Sequence, residues 1–169
     1  MKIVEVDILK LTLNPVDTWM NKWFLLTAGT FEDCNMMTVS WGSIGCIWDK
    51  PMVQILVRPH RHTYKYTEKS DSFTLCGFPE KFRGALNTLG TISGRNGWKL
   101  AKTNLTLRPS VRVSAPSYNE ASLVLECRKM YFQDMDPAGF LDRTIQKNYP
   151  RNDYHRIYFG EIVGAFVQK

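Results

Sequence analysis

The sequence predicts a mainly β chain, a closed or nearly closed antiparallel barrel plugged by short helices. Three observations carry that prediction. About seven or eight short runs rich in Val, Ile, Leu, Phe and Trp are bounded by Gly, Pro, Asn or Asp. The strand-like runs do not alternate regularly with helices, as a parallel sheet would require. The 169 residues, 44% apolar and 22% charged, suit one globular domain spanning 1–169, and 12% aromatic residues argue against a disordered chain.

Taken in order, residues 2–12 place Ile3, Val4, Val6, Ile8, Leu9 and Leu11 among charges, which predicts a first strand that Asn14-Pro15 stops. W-M-N-K-W-F-L-L-T-A at 19–28 reads as a second strand, ending at Gly29, and residues 36–42 as a third. A loop then leads to a fourth strand over 52–58. In it, period-two alternation puts Val53, Ile55 and Val57 on one face and Met52, Gln54, Leu56 and Arg58 on the other. Pro59 ends pairing, Thr63 is the expected N-cap, and 64–69 form a short helix before a strand at Ser72–Cys76.

Pro79 introduces a helix whose Phe82, Ala85, Leu86 and Leu89 share one face at i, i+3, i+4 and i+7. Gly90, Gly94 and Gly97 turn the following segment into a loop. Two short strands flank Arg108-Pro109, a buried strand runs from Ala121 to Phe132, and Asp136-Pro137 opens a turn or short helix reaching Tyr149-Pro150. Residues 154–167 supply a last long strand.

The formal net charge of +6 admits a nucleic acid or an anionic small ligand. The basic residues are scattered, without the long polybasic tail that coats a phosphate backbone, and this argues against nucleic acid. Cys34, Cys46, Cys76 and Cys127 are widely spaced and form no C-x-x-C pair, so no zinc site or disulfide framework is signalled and a reducing cytoplasm is the expected location. No apolar run approaches membrane-spanning length.

The densest basic group is Arg58, His60, Arg61, His62 and Lys65, at the predicted start of a helix. Cations beside a helix N-terminus are unfavourable unless an anion joins them, and first-turn N–H groups, a Thr hydroxyl and guanidinium groups together make a phosphate cradle. The same arginines can instead point into water. Asn35, Thr38, Ser40 and Trp41 are either half-buried strand residues or donors and a stacking surface for a flat heteroaromatic ring. His60 and His62, two apart and without nearby carboxylates, are poor metal ligands, so no metal is expected. His155, next to Asp153 and Arg156, is either a surface histidine or a proton donor near a ligand. Neither G-x-x-x-x-G-K-[ST] nor G-x-G-x-x-G occurs, so any nicotinamide binds without a Rossmann unit.

Five segments in order resemble the flavin reductase-like family, above all its flavoredoxin-type members: N-M-M-T-V-S-W-G at 35–42, V-R-P-H-R-H-T-Y-K-Y-T-E-K-S-D-S-F-T-L at 57–75, A-L-N-T-L-G-T-I-S-G-R at 85–95, L-V-L-E-C-R at 123–128 and D-Y-H-R-I-Y-F-G-E-I-V at 153–163. The resemblance implies an FMN-binding split β-barrel of Greek-key type, a homodimer, and electron transfer from NADH or NADPH. It implies that Asn35, Met36, Met37, Thr38, Val39, Ser40 and Trp41 line the flavin ring and ribityl chain, and that Arg58, Pro59, His60, Arg61 and Thr63 hold the phosphate. Ser93, Gly94, Arg95 and Lys99 match a cofactor loop that in relatives reads S-G-R-D-x-D-K, although Asn96 and Trp98 replace its two acids here. His155 matches a position near the flavin or nicotinamide and is the candidate catalytic residue. The expected activity is a flavin reductase-type oxidoreductase; the alternative is a flavoredoxin-like electron carrier without its own nicotinamide site.

Overall fold

A computed structural model of the chain describes residues 3–169. Strand β1 (Ile3–Glu5) is followed by a 3-10 turn at Ile8–Lys10 and by α1 (Pro15–Asp17), which runs into a π-helical turn over Thr18–Lys22. Then come β2 (Phe24–Gly29), β3 (Cys34–Val39), β4 (Gly42–Ile47), β5 (Lys50–Val57), α2 (His62–Lys69), β6 (Ser72–Gly77) and α3 (Arg83–Thr91). Two short strands, β7 (Leu107–Arg108) and β8 (Ser117–Tyr118), pair with each other before the long β9 (Leu123–Asp134) and β10 (Arg156–Gln168).

All pairings in the eight-stranded sheet are antiparallel, in the order β3-β2-β6-β9-β10-β5-β4, with β1 added along the C-terminal half of β10. The two ends of that order, β3 and β4, are consecutive in the chain and are joined only by Ser40 and Trp41. Three Cα steps reach at most about 11 Å. The sheet therefore rolls until its edges meet, while no ladder joins β3 to β4: the barrel is split at a seam that Ser40 and Trp41 bridge.

Burial follows the strand alternation. Phe24, Leu26 and Ala28 of β2, Met37 and Val39 of β3, Val53, Ile55 and Val57 of β5, and Phe73 and Leu75 of β6 fill the barrel interior. The opposite faces of β2, β3 and β6 carry Leu25, Met36 and Cys76, which pack against Phe82, Leu86 and Leu89 of the α3 region. Each such buried side chain contributes roughly 1.5–3 kcal/mol, so α3 is held by its apolar stripe. The predicted faces of the fourth strand and of this helix are both observed.

Three expectations are corrected. The predicted strand over 19–28 begins as helix, because Asn14 caps it by accepting from the Asp17 N–H at 3.0 Å and Pro15 occupies the first helical position. Asn14-Pro15 is thus a helix start signal and not the expected strand stop. The predicted strand over 2–12 shrinks to β1, since Asp7 caps the turn at Ile8–Lys10; its first residue, Lys2, lies outside the described residues. The supposed loop before the fourth strand is strand β4, closed onto β5 by a two-residue turn of Trp48 and Asp49 at φ 51° and 57°. Both turn residues are left-handed, the backbone that Asn-Gly normally signals. Gly42 opens β4 because a Cβ there would lie 2.4 Å from the Gln54 carbonyl oxygen and 2.5 Å from the Trp19 ring.

A left-handed backbone costs a non-glycine residue about 1–2 kcal/mol. Replacing Trp48-Asp49 by Asn-Gly is expected to stabilise the chain by about 1 kcal/mol, less the lost edge contact of Trp48 on Tyr131 at 6.1 Å. Urea unfolding of the double variant checks this, and an unchanged or lowered midpoint contradicts it.

Candidate functional site

The corner after β5 and the loop after α3 meet around a pocket of about 240 Å³. It is lined by Asn35, His60, Arg61, His62 and Thr63 on one side and by Gly90 to Arg95 and Lys99 on the other, with no acidic residue among them. The cations are aimed by backbone oxygens. Arg61 donates from Nη2 to the Gly90 carbonyl at 2.8 Å, Arg95 from Nη1 to the His60 carbonyl at 2.9 Å, and Lys99 from Nζ to the Leu89 and Ile92 carbonyls at 2.7 and 3.1 Å. The oxygens of Leu89, Gly90 and Ile92 belong to the last turn and cap of α3, the negative end of that helix. Lys99 is 3% exposed, and burial together with Arg61 brings its ammonium down to about 8. Burial and Arg58 likewise push Arg61 down, and burial is the main cause for His62, with Lys65, Arg95 and Lys99 adding to it.

The N-terminus of α2 opens on the same pocket. Its N-cap is Arg61, whose side chain makes no capping hydrogen bond, and not the expected Thr63. Thr63 sits inside the first turn at 1% exposure, where its hydroxyl accepts from Asn35 Nδ2 at 2.7 Å and donates to the Met36 carbonyl at 3.1 Å. A Cβ on Gly94 would lie 2.2 Å from Asn35 Oδ1 and 2.8 Å from His62 Cδ2, so only glycine lets the loop approach this closely.

A second group of side chains stands beside the seam. The Trp41 and His155 rings lie 5.4 Å apart, and His155 Nδ1 is 2.8 Å from the hydroxyl of Tyr149. Burial, then the charge of Arg58, lowers His155 to about 4, so the ring is neutral at pH 7. His60 joins the two groups: it lines the pocket, and its Nδ1 is 2.9 Å from Asp153 Oδ2, which also accepts from Arg58 Nη1 at 2.9 Å.

Of the residues expected at a ligand, the pocket gathers Asn35, His60, Arg61, Thr63, Ser93, Arg95 and Lys99. Ser40 and Trp41 instead line a separate cleft with Trp19 and Met20. Met36, Met37 and Val39 are core side chains, and Thr38 turns its hydroxyl onto the Leu86 carbonyl. Successive strand residues face opposite sides, so residues 35–41 do not present one continuous lining. Arg58 reaches Asp153, the Asn148 carbonyl at 2.8 Å and the Tyr149 ring at 5.0 Å, away from the pocket, and Pro59 does not line it. The sequence flagged His62 only as a member of the basic cluster, without a role at the ligand, and nothing in it flagged Tyr149.

A rolled antiparallel sheet with a split seam is a split barrel, and here an acid-free, cationic pocket at a helix N-terminus lies near that seam. The chain belongs to the Flavin reductase like domain family, whose profile matches residues 21–169. It is 29% identical over 127 residues to an uncharacterized protein of Pyrococcus abyssi, covering 75% of this chain and 72% of that one. Among solved structures it resembles an FMN-binding domain of a flavin reductases-like enzyme from Shewanella baltica, with a TM-score of 0.71 at 17% identity over 98% of this chain and 77% of the other. It also resembles the flavoredoxin of Desulfovibrio vulgaris, with a TM-score of 0.68 at 21% identity over 87% and 69%. These likenesses establish the split-barrel fold.

An ammonium near 8 makes anion binding depend on pH. Lys99 is cationic below that value and neutral above it, and a bound anion moves the midpoint upward by stabilising the charged form. Inorganic phosphate is therefore expected to bind more weakly as pH rises through and beyond about 8, and Lys99→Met should remove the step. Calorimetric titration between about pH 7 and 10 checks this; an equal slope in parent and variant contradicts it.

Proposed function

We propose that the chain binds FMN, its phosphate in the pocket of Arg61 and Lys99, and acts as an oxidoreductase of flavin reductase type supplied by NADH or NADPH. The observation that carries the reading is a cationic pocket without any acid, set at a helix N-terminus. At about 240 Å³ it is smaller than the roughly 300–1,000 Å³ of pockets that enclose a whole drug-sized ligand. It suits an anionic tail whose flat head lies elsewhere, and Ser40, Trp41 and His155 at the seam are the residues left for a head. Held by these residues, FMN would supply the redox chemistry of a flavin reductase, hydride acceptance from a reduced nicotinamide and electron release to an acceptor.

The chain's own residues would position and neutralise. Arg61 and Lys99, already fixed on carbonyls of α3, keep donors for phosphate oxygens without reorganising, and charge-assisted bonds of this kind contribute of order 1.5–3 kcal/mol each. Thr63 acts through Asn35 and the Met36 carbonyl, holding α2 against β3. Trp41, 44% exposed at the seam, offers an apolar face.

Arg61→Ala is the test variant, since removing the Thr63 hydroxyl would also strip a buried tie. Its FMN affinity should fall at least tenfold while riboflavin, which lacks the phosphate, binds parent and variant alike; equal FMN affinities would refute the pocket assignment. Anaerobic NADH or NADPH should bleach the FMN-loaded parent. No bleaching with either donor would remove the nicotinamide step and leave an FMN-holding electron carrier.

The homodimer implied by the family has support on the β4 side. Two apolar clefts share Pro15 and Ile44, one bordered by Leu9 and Cys46 and the other by Val16, Met20 and Trp41; Leu9, Val16 and Met20 are 86%, 64% and 67% exposed. A contiguous apolar surface of this kind is what a second copy would cover. Sedimentation equilibrium should give a dimer that Ile44→Glu dissociates, and a monomeric parent at micromolar concentration would contradict it.

A further inference from the structure

We infer that Tyr149 is a positioning residue that holds His155 in the tautomer with its proton on Nε2, so that the imidazole presents an N–H donor beside Trp41. The Tyr149 hydroxyl has one proton and two neighbours, Nδ1 of His155 at 2.8 Å and Sδ of Met135 at 3.2 Å. An imidazole nitrogen is a good acceptor and a thioether a weak one. The hydroxyl therefore donates to Nδ1, which leaves the ring proton on Nε2. The reverse arrangement, Nδ1–H donating to the hydroxyl and the hydroxyl to sulfur, exchanges a strong acceptor for a weak one.

The surroundings keep this pair in place. Tyr149 is 2% exposed, stacked on Phe140 at 5.9 Å and 20°, and covered by the Arg58 guanidinium. Burial raises its hydroxyl above the ordinary value, so the proton needed for the bond is present. Arg58, His60 and Arg61 oppose a charge on His155 and only Asp153 favours one, with burial the largest influence on the neutral side.

The donor is also reachable. Among the described residues, the buried side-chain nitrogens and oxygens without a hydrogen-bond partner are Trp19 Nε1 and Asp153 Oδ1. Nε2 of His155 has no partner among them either, so it belongs to the small surface the ring retains. A neutral imidazole with its proton on Nε2 is a hydrogen-bond donor and not a base at that atom. On the reading that FMN is bound here, which this part of the inference rests on, His155 would donate to an acceptor atom of the bound molecule, and proton removal by His155 Nε2 is excluded.

Long-range proton–nitrogen spectra of histidine-labelled protein test the idea without any activity. The chain has three histidines, so His60→Gln and His62→Gln assign the signals. In the free protein, Nδ1 of His155 should show the unprotonated, pyridine-type shift and Nε2 the protonated, pyrrole-type shift, unmoved between about pH 6 and 8. Tyr149→Phe should move both shifts toward the average of exchanging tautomers, whereas Met135→Leu should leave them as in the parent. An Nδ1–H form or an exchanging mixture in the parent overturns the tautomer assignment, and a Tyr149→Phe spectrum like the parent's overturns the positioning role. Added FMN should shift Nε2 and its proton more than Nδ1. Binding of FMN without that shift overturns the donor role, while absence of FMN binding overturns the flavin reading and leaves the free-protein result standing.

Discussion

The two-residue link between β3 and β4 is the constraint from which the rest of the molecule follows. Strands at opposite ends of a seven-strand path cannot be joined by Ser40 and Trp41 unless the sheet rolls on itself, and Gly42 is what lets β4 pass within contact of Gln54 and Trp19 as it turns away. Rolling buries one face of β2, β3, β5, β6, β9 and β10 and leaves the outer face of β2, β3 and β6 to pack in the cluster that contains α3. The split barrel and the position of its helix are therefore one event. The seam, where no ladder holds the edges, is also where backbone and side chains remain free to meet a ligand.

The pocket owes its charge to the meeting of two helix ends. α3 ends with the carbonyls of Leu89, Gly90 and Ile92 directed at Arg61 and Lys99, while α2 begins on the other side. The negative end of one helix anchors the cations and the positive end of the next adds to them, so the side chains are held without any carboxylate that would cancel their charge. An exposed ion pair would fix an arginine as well, but would spend it. Here, carbonyl oxygens fix Arg61 and Lys99 and leave the charge for an anion.

What could be read from the sequence divides along the same physical lines. The β5 faces and the α3 stripe were legible because burial imposes a period that residues 53–57 and 82–89 obey. Strand β4 was not, because its turn is made by Trp48 and Asp49 in a backbone usually flagged by Asn-Gly, and the cost of that choice is met by contacts a sequence does not display. That cationic side chains gather at this corner was legible from the crowding of Arg61 and His62 at a helix start. The partners that separate Arg58 from Arg61 were not, since Asp153 and Asn148 lie 95 and 90 residues further along the chain, and only the fold brings them to the end of β5.

That separation bears on how the site works. The corner from Arg58 to Thr63 reads as one basic cluster, yet Arg58 holds the 148–153 segment, Arg61 faces the pocket, and His60 touches both through Asp153. The segment held by Arg58 carries Tyr149, and Tyr149 contacts His155. A change at Arg58 therefore acts on the seam through the ordering of Tyr149, while a change at Arg61 acts directly on the charge of the pocket. His60 shares a carboxylate with Arg58 and a pocket wall with Arg61, so its effects will not add to those of either neighbour. Six consecutive residues thus couple the two halves of the candidate site, and the coupling passes through Asp153, whose Oδ1 is buried without a partner among the described residues and whose Oδ2 contacts both Arg58 and His60.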